Sequence, residues 1–385
     1  MSVSAIVLAD NKEPLKNSKR IKAMCEVLFK PMLDWVIKAA KDAGIDSICV
    51  VAGENLPLIE SHLNGSQINV FASLQQATES ADKDIIILNG GKPFIDADTI
   101  KGALEMHTND GNDMTIISDE SIGYCINSES IGKSGLKTGV YASLNKNIGL
   151  TANTGAELNR LNETMRQQIL TNLMNNGVDI PCTDGIIIGP DCKIDCDTKI
   201  LPNTVICGNV TIGEDCVIGP NSHIENAQIG NGVKFNNSQI RNAKIMNNAD
   251  IGPFVQVRPD AVIGDNVHLG NFVEVKNSVI DTGTKVSHLT YVGDSDVGKD
   301  VNFGCGVVTV NFTGKTKHRT TIKDRAFIGC NTNLVAPVTV GENSYTAAGS
   351  TITQDVPDNS LAIARERQIN KEGWVKEKQP YRKKV

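Results

Sequence analysis

Arg258, Glu274, Lys276, His288, Tyr291, Asn302 and Lys317 are the residues of this chain whose types, taken together, could do chemistry. Guanidinium and ammonium groups hold an anion through charge-assisted hydrogen bonds, and an imidazole among them can take up a proton near neutral pH. The set therefore suits an anionic substrate that must lose a proton. A lone histidine on a β surface is more often a plain surface residue, so the weight rests on its company. Spacings of roughly 18 and 12 residues put side chains one coil or one face apart if the chain winds in coils of about 18 residues.

Such a coil is written in the sequence. ILPNTVICGNVTIGEDCVIGPNSHI places an isoleucine at Ile200, Ile206, Ile212, Ile218 and Ile224, a period that is neither helical nor that of an ordinary strand. The rhythm starts at Ile188 and Ile194. It continues with occasional five-residue steps through Ile229, Phe235, Ile240, Ile245, Ile251, Val257, Ile263, Leu269, Val275, Ile280, Val286 and Val292. It resumes at Ile322, Ile328, Leu334, Val340, Thr346 and Ile352 after the polar stretch TVNFTGKTKHRT, which must loop out. One short strand and one turn per six residues, with coils of about 18 residues, predict a triangular β-helix of roughly nine turns. The aliphatic residues stack inside it, and Gly, Asn and Asp accept the corner geometry.

The rest of the chain reads differently. SAIVLAD, SICVVAG and DIIILNGG are buried strands, KPMLDWVIKAAKDAGI is an amphipathic helix closed by Gly44, and their alternation predicts an α/β domain with a parallel sheet. The expected division is 1–150 for that domain, 151–182 for a linker helix, 183–355 for the β-helix and 356–385 for a tail. A net charge of -6 and a pI near 5.6 argue against nucleic acid as a partner. No apolar run reaches the roughly 20 residues of a membrane span, and ten cysteines without a signal peptide read as reduced thiols of a cytoplasmic protein. Cys192 and Cys196 have no second CxxC pair or histidine at zinc spacing, so no metal site is expected.

The segments RPDA, GNFVEVK, SHLTYVGD, GVVTVNF, TNLVAPVTVG, AAGSTIT and INKEGW resemble the acetyltransferase domain of the bacterial bifunctional N-acetylglucosamine-1-phosphate uridyltransferase/glucosamine-1-phosphate N-acetyltransferase family. The resemblance is dense from about Ile251 to Trp374. It implies a left-handed coil, a homotrimer with sites shared between subunits, and acetyl-CoA as acetyl donor to an amino-sugar phosphate. His288 matches the family's general base and Glu274 the carboxylate that orients it. Arg258, Lys276, Tyr291, Asn302 and Lys317 match the residues that hold the sugar phosphate. Cys305, Asn311, Phe312, Cys330, Ala348, Arg365 and Lys371 match the coenzyme positions. The family usually has Tyr at Phe312, a small residue such as Ala at Cys305 and Ser at Cys330, so coenzyme binding is expected to be retuned.

The N-terminal half departs further. VLADNKEPLKNSKRIK aligns with the family's nucleotide loop, of form LAAGxGTRM, but Asn11 and Glu13 replace its glycines and Leu15 its arginine. A triphosphate loop presents backbone N–H groups and tolerates no opposing charge. Lys12 and Lys22 persist. Gly91 stands at the metal-binding aspartate, the uridine loop is shortened to SLQQATES, and Asn153 alone cannot hold magnesium. The expected protein is a monofunctional acetyltransferase with a degenerate nucleotidyltransferase-like domain and no magnesium requirement. A bifunctional enzyme also making UDP-GlcNAc, and a non-catalytic trimeric scaffold or sugar-nucleotide sensor, are the alternatives. A hexapeptide carbonic anhydrase would need three facing histidines, and His62, His107, His223, His268, His288 and His318 show no such spacing. The acceptor is glucosamine-1-phosphate or its galacto epimer.

Overall fold

The computed structural model describes residues 3–10 and 14–378 and divides into two compact units. In the first, the strands Val3–Leu8, Ser47–Val51 and Asp84–Asn89 are parallel neighbours, as expected. Asn69–Phe71 adds a further parallel strand, and Gly123–Asn127, Met114–Ile117 and Thr138–Tyr141 complete the sheet. Gly123–Asn127 runs antiparallel to Asp84–Asn89. These four strands are short and only partly buried, so they lack the continuous apolar run that marks the central three. Met32–Asp42 is the helix expected there, and it buries Leu33, Val36, Ala40 and Ile37 against the sheet core.

The helix expected as a linker spans Gly155–Asn175, and the first unit takes in the chain up to Asn172. It does not stand free. Leu161 and Met165 are buried in one cluster with Leu15, Val27, Met32 and Phe94, because the helix has an apolar stripe on one side. Within that cluster Leu15 is a core side chain.

The second unit is the prism. Three parallel sheets of ten, nine and ten strands form its faces. Face 1 runs from Ile187–Ile188 to Thr351–Ile352, face 2 from Lys193–Ile194 to Val338–Val340, and face 3 from Lys199–Ile200 to Leu361–Ala362. Each expected inward residue pairs with its equivalent one coil on: Ile206 with Ile224, Ile212 with Ile229, and Ile218 with Phe235. All six are buried. Truncating one of these side chains to alanine would cost about 2–5 kcal/mol, since the column above and below cannot collapse into the gap. Past residue 355 the coil continues. Val356 bridges to Val340, and Leu361–Ala362 pairs with Tyr345–Thr346, so the tail begins later than the isoleucine rhythm indicates. The last coil uses Val356 and Ala362, which do not extend that rhythm legibly.

The corners explain the Asn and Asp content. At the corner from face 3 to face 1, Asn203, Asn221 and Asn237 take positive φ, a conformation these short polar residues tolerate. Their amides form a ladder, Asn203 Nδ2 donating to Asn221 at 3.0 Å and Asn221 Nδ2 to Asn237 at 2.9 Å. Phe254, Phe272 and Leu289 occupy the same corner in later coils, also at positive φ, where a side chain with Cβ costs about 1–2 kcal/mol. Each is more than half exposed, and the rings of Phe254 and Phe272 stack with centroids 5.4 Å apart.

Candidate functional site

Face 1 gathers most of the chemistry. Glu274 and Lys276 flank inward Val275, and Tyr291 lies opposite Glu274 in the next coil. Arg258 follows the strand Gln256–Val257 one coil before, and its Nη1 donates to Glu274 Oε1 at 2.5 Å. Gly293 pairs with Lys276, and its missing Cβ leaves the space that the Tyr291 hydroxyl fills. Lys276 is depressed below the usual lysine range, first by Lys317 beside it and then by Arg258. Three cations therefore converge on this face, where the carboxylate of Glu274 is engaged by Arg258.

Lys317 reaches that place on the expected excursion, which is a small hairpin. Phe312 bridges antiparallel to Lys317, His318 N donates to Asn311 O at 2.9 Å, and Thr313 N donates to Thr316 O at 3.0 Å. Arg319 pins its base by donating to both oxygens of Asp296 and to the carbonyls of Ser295 and Asn277. The ion pair with Asp296 holds Arg319 above the ordinary arginine range. A second anchor was not singled out by the sequence. Asp294, at the end of SHLTYVGD, is buried and accepts from Asn277 Nδ2 and Asn311 Nδ2. The signal for it was available, because Asn277, Asp294 and Asn311 stand one coil apart at the corner from face 1 to face 2.

His288 is exposed at the other edge of face 1, the corner from face 3, where its strand pairs Asn271 with His288. Cys305, Cys330 and Ala348 continue that corner coil by coil: Asn331 N donates to Cys305 O at 2.7 Å and Gly349 N to Cys330 O at 2.8 Å. Arg365 follows the last strand, and its Cδ lies 3.8 Å from where a Cβ on Gly349 would stand. At about 4.8 Å per coil the line from His288 to Arg365 is roughly 19 Å long. Two sets are not united by one chain. Asn302 projects from face 3, opposite Lys285, away from the Lys276 cluster. Asn311 and Phe312 lie at the far corner of face 1, with Asn311 Nδ2 spent on Asp294 and 3.5 Å from the Tyr291 hydroxyl. Lys371 is exposed beyond the last coil.

In the first unit, Gly91 N donates to Asn89 Oδ1 at 2.9 Å, and no carboxylate stands at that position. Lys92 is buried, donates to Gly149 O at 2.6 Å, and is lowered below the usual lysine range mainly by burial. Lys22 Nζ donates to Asn153 Oδ1 at 2.6 Å. SLQQATES is the short helix Leu74–Glu79, capped by Ser73. Asn11, Lys12 and Glu13 lie outside the described residues. Among the described residues no helix is long and apolar enough to cross a membrane.

Residues 191–226, 242–277 and 319–354 match the family of bacterial transferase hexapeptide (six repeats). The chain is 38% identical over 447 aligned residues to the "Bifunctional protein GlmU" of Caldanaerobacter subterraneus subsp. tengcongensis, with 97% of this chain and 98% of that protein covered. It is 37% identical over 451 residues to the protein of the same name from Clostridioides difficile, with 98% of each covered. Both alignments exceed the 385 residues of this chain, so the relatives carry segments that it lacks. With a nucleotidyltransferase-like domain followed in the chain by a left-handed parallel β-helix of hexapeptide repeats, and with such similarity along nearly its whole length, the chain belongs to the GlmU family and is an acyltransferase.

Proposed function

We propose that the protein transfers the acetyl group of acetyl-CoA to the amine of glucosamine-1-phosphate, giving N-acetylglucosamine-1-phosphate and free coenzyme A. The observation that carries this reading is the convergence of Lys276, Lys317 and Arg258 on one face. Cations forced together are relieved by a bound dianion, which a sugar phosphate supplies. His288 takes a proton from the amine as its nitrogen bonds to the acetyl carbon; the carbon–sulfur bond breaks and the coenzyme leaves as a thiol. Glu274 steers the imidazole, and Tyr291 and Asn302 hold the sugar. The coenzyme lies along the corner of Cys305, Cys330 and Ala348, with Arg365 and Lys371 on its phosphates. A homotrimer would bring Asn302, Asn311 and Phe312 of one subunit to this corner of another, and the exposed Phe254, Phe272 and Leu289 beside it offer apolar surface for that contact.

The test is an acetyl-CoA assay with glucosamine-1-phosphate and its galacto epimer. Thiol release with the gluco acceptor at a turnover above that with free glucosamine supports the reading; no release with either phosphate defeats it. Arg258→Ala and Lys276→Ala should each raise the KM for sugar phosphate about 10-fold to 100-fold, the loss of one charge-assisted contact of roughly 1.5–3 kcal/mol. Unchanged kinetics would place the phosphate elsewhere. Truncation after Ile363, which removes Arg365 and Lys371, should weaken acetyl-CoA binding far more than truncation after Tyr381; calorimetry that finds equal affinities would contradict the assignment of the tail.

The nucleotidyltransferase-like domain is proposed to have lost uridyl transfer. Lys92 and Lys22 put two ammonium groups beside Gly149 and Asn153, and Gly91 brings no carboxylate to the position of the family's metal-binding aspartate. A divalent cation requires oxygen ligands and is repelled by such a pair.

A further inference from the structure

We infer that Cys207, His223 and Glu225, none of which is assigned to acyl transfer, form a binding site for one zinc-class divalent ion on face 1. The strands Val205–Cys207 and His223–Glu225 are parallel neighbours, with Val205 opposite His223 and Cys207 opposite Glu225. Ile206 and Ile224 point inward, so the residues flanking them share the outer side of the same face. Cys207 Sγ lies 3.7 Å from His223 Nε2, and the three donor atoms of the triad all fall within 4.8 Å of one another. Among the described residues it is the one such triad.

Tetrahedral zinc with a sulfur at about 2.3 Å and a nitrogen at about 2.0 Å separates those two donors by about 3.5 Å. The Sγ–Nε2 pair is thus already close to the edge of that tetrahedron. An S–H···N contact joins cysteine and histidine alone and the Arg241 ion pair holds Glu225 alone, whereas one metal ion engages all three donors at the point where they meet. Thiolate, imidazole and carboxylate together select zinc over magnesium or calcium. The carboxylate is also oriented from behind. Arg241, opposite Glu225 in the following coil, donates from Nε to Glu225 Oε2 at 2.7 Å, as outer partners of metal ligands do. Three protein ligands leave a fourth position. His223 and Arg241 line a cavity of about 480 Å³ that extends to Arg258 and Glu274, so a water or small anion can enter from it.

The expected zinc motifs do not contain this spacing because the ligands are gathered by the coil: sixteen residues separate Cys207 from His223, one turn of the prism. The test uses the full-length, reduced protein stripped with a chelator and titrated with cobalt(II). One equivalent should bind with a thiolate-to-cobalt charge-transfer absorption, and one equivalent of zinc should bleach it. The absorption should be lost in Cys207→Ser and kept in a Cys192→Ser/Cys196→Ser double variant. Glu225→Gln, which keeps the side-chain volume, should weaken zinc by at least about tenfold even if Cys207→Ser fails to fold. An absence of the absorption in the unaltered protein, or zinc affinity unchanged in Glu225→Gln, would overturn the site. Neither readout depends on acetyl transfer, so the two proposals stand or fall separately.

Discussion

Replacing His288 by alanine will lower kcat for acetyl transfer by about 100-fold to 10,000-fold, the usual worth of a general base, and will leave the oligomeric state unchanged. The amine nucleophile of an amino sugar is largely protonated near neutral pH, and an ammonium has no lone pair to attack the thioester. A base at the reacting nitrogen is therefore required. His288 is placed so that its loss should be clean: the side chain is exposed, while the core position of that strand is Val286. The backbone at that corner is held independently, by Leu289 N donating to Asn271 O at 2.9 Å and Thr290 Oγ1 donating to His288 O at 2.7 Å. Steady-state kinetics should show the fall in kcat with a much smaller change in the KM for sugar phosphate. Near-normal turnover in His288→Ala would remove this residue from the mechanism.

The protein should form no UDP-sugar from UTP and N-acetylglucosamine-1-phosphate, even with excess magnesium. The changes act on separate parts of the site. Leu15 is core where the family's loop has arginine, Gly91 lacks the metal carboxylate, and Lys92 and Lys22 engage Gly149 and Asn153. One lost ligand can be tolerated, whereas loss of the metal anchor together with the loop's glycines and arginine should not be. The domain still folds, because Ala5, Ile6, Val7, Ile86, Ile87 and Leu88 remain buried in its central strands. A pyrophosphate-release assay on the purified protein decides the matter; substantial, magnesium-dependent release would show that uridyl transfer has been kept.

The proposed roles differ in how far they could be read before the fold was known. Val275, Val286 and Val292 give the register of the prism, and from them it follows that Glu274 and Tyr291 stand opposite each other in adjacent coils. The same count does not say that Asn302 projects from another face, or that Asn311 spends its amide on Asp294. Lys317 could be placed in a loop from its polar surroundings, but only the hairpin pinned by Arg319 aims it at Lys276.

The sequence by itself determined the prism, because a column of stacked aliphatic residues repeats at the period of the coil and a one-residue slip would turn it to solvent. It also determined the central strands of the first unit, whose apolar runs are continuous. Tertiary structure decided the pairings of polar side chains, whose spacing along the chain does not say which atoms meet: Arg258 with Glu274, Asp294 with its two asparagines, Lys92 with Gly149, and the meeting of Cys207, His223 and Glu225. Burial of apolar surface is summed along the chain and leaves a pattern there. A hydrogen bond or a coordination shell depends on the direction of a few atoms, and those directions exist only after the coils have stacked.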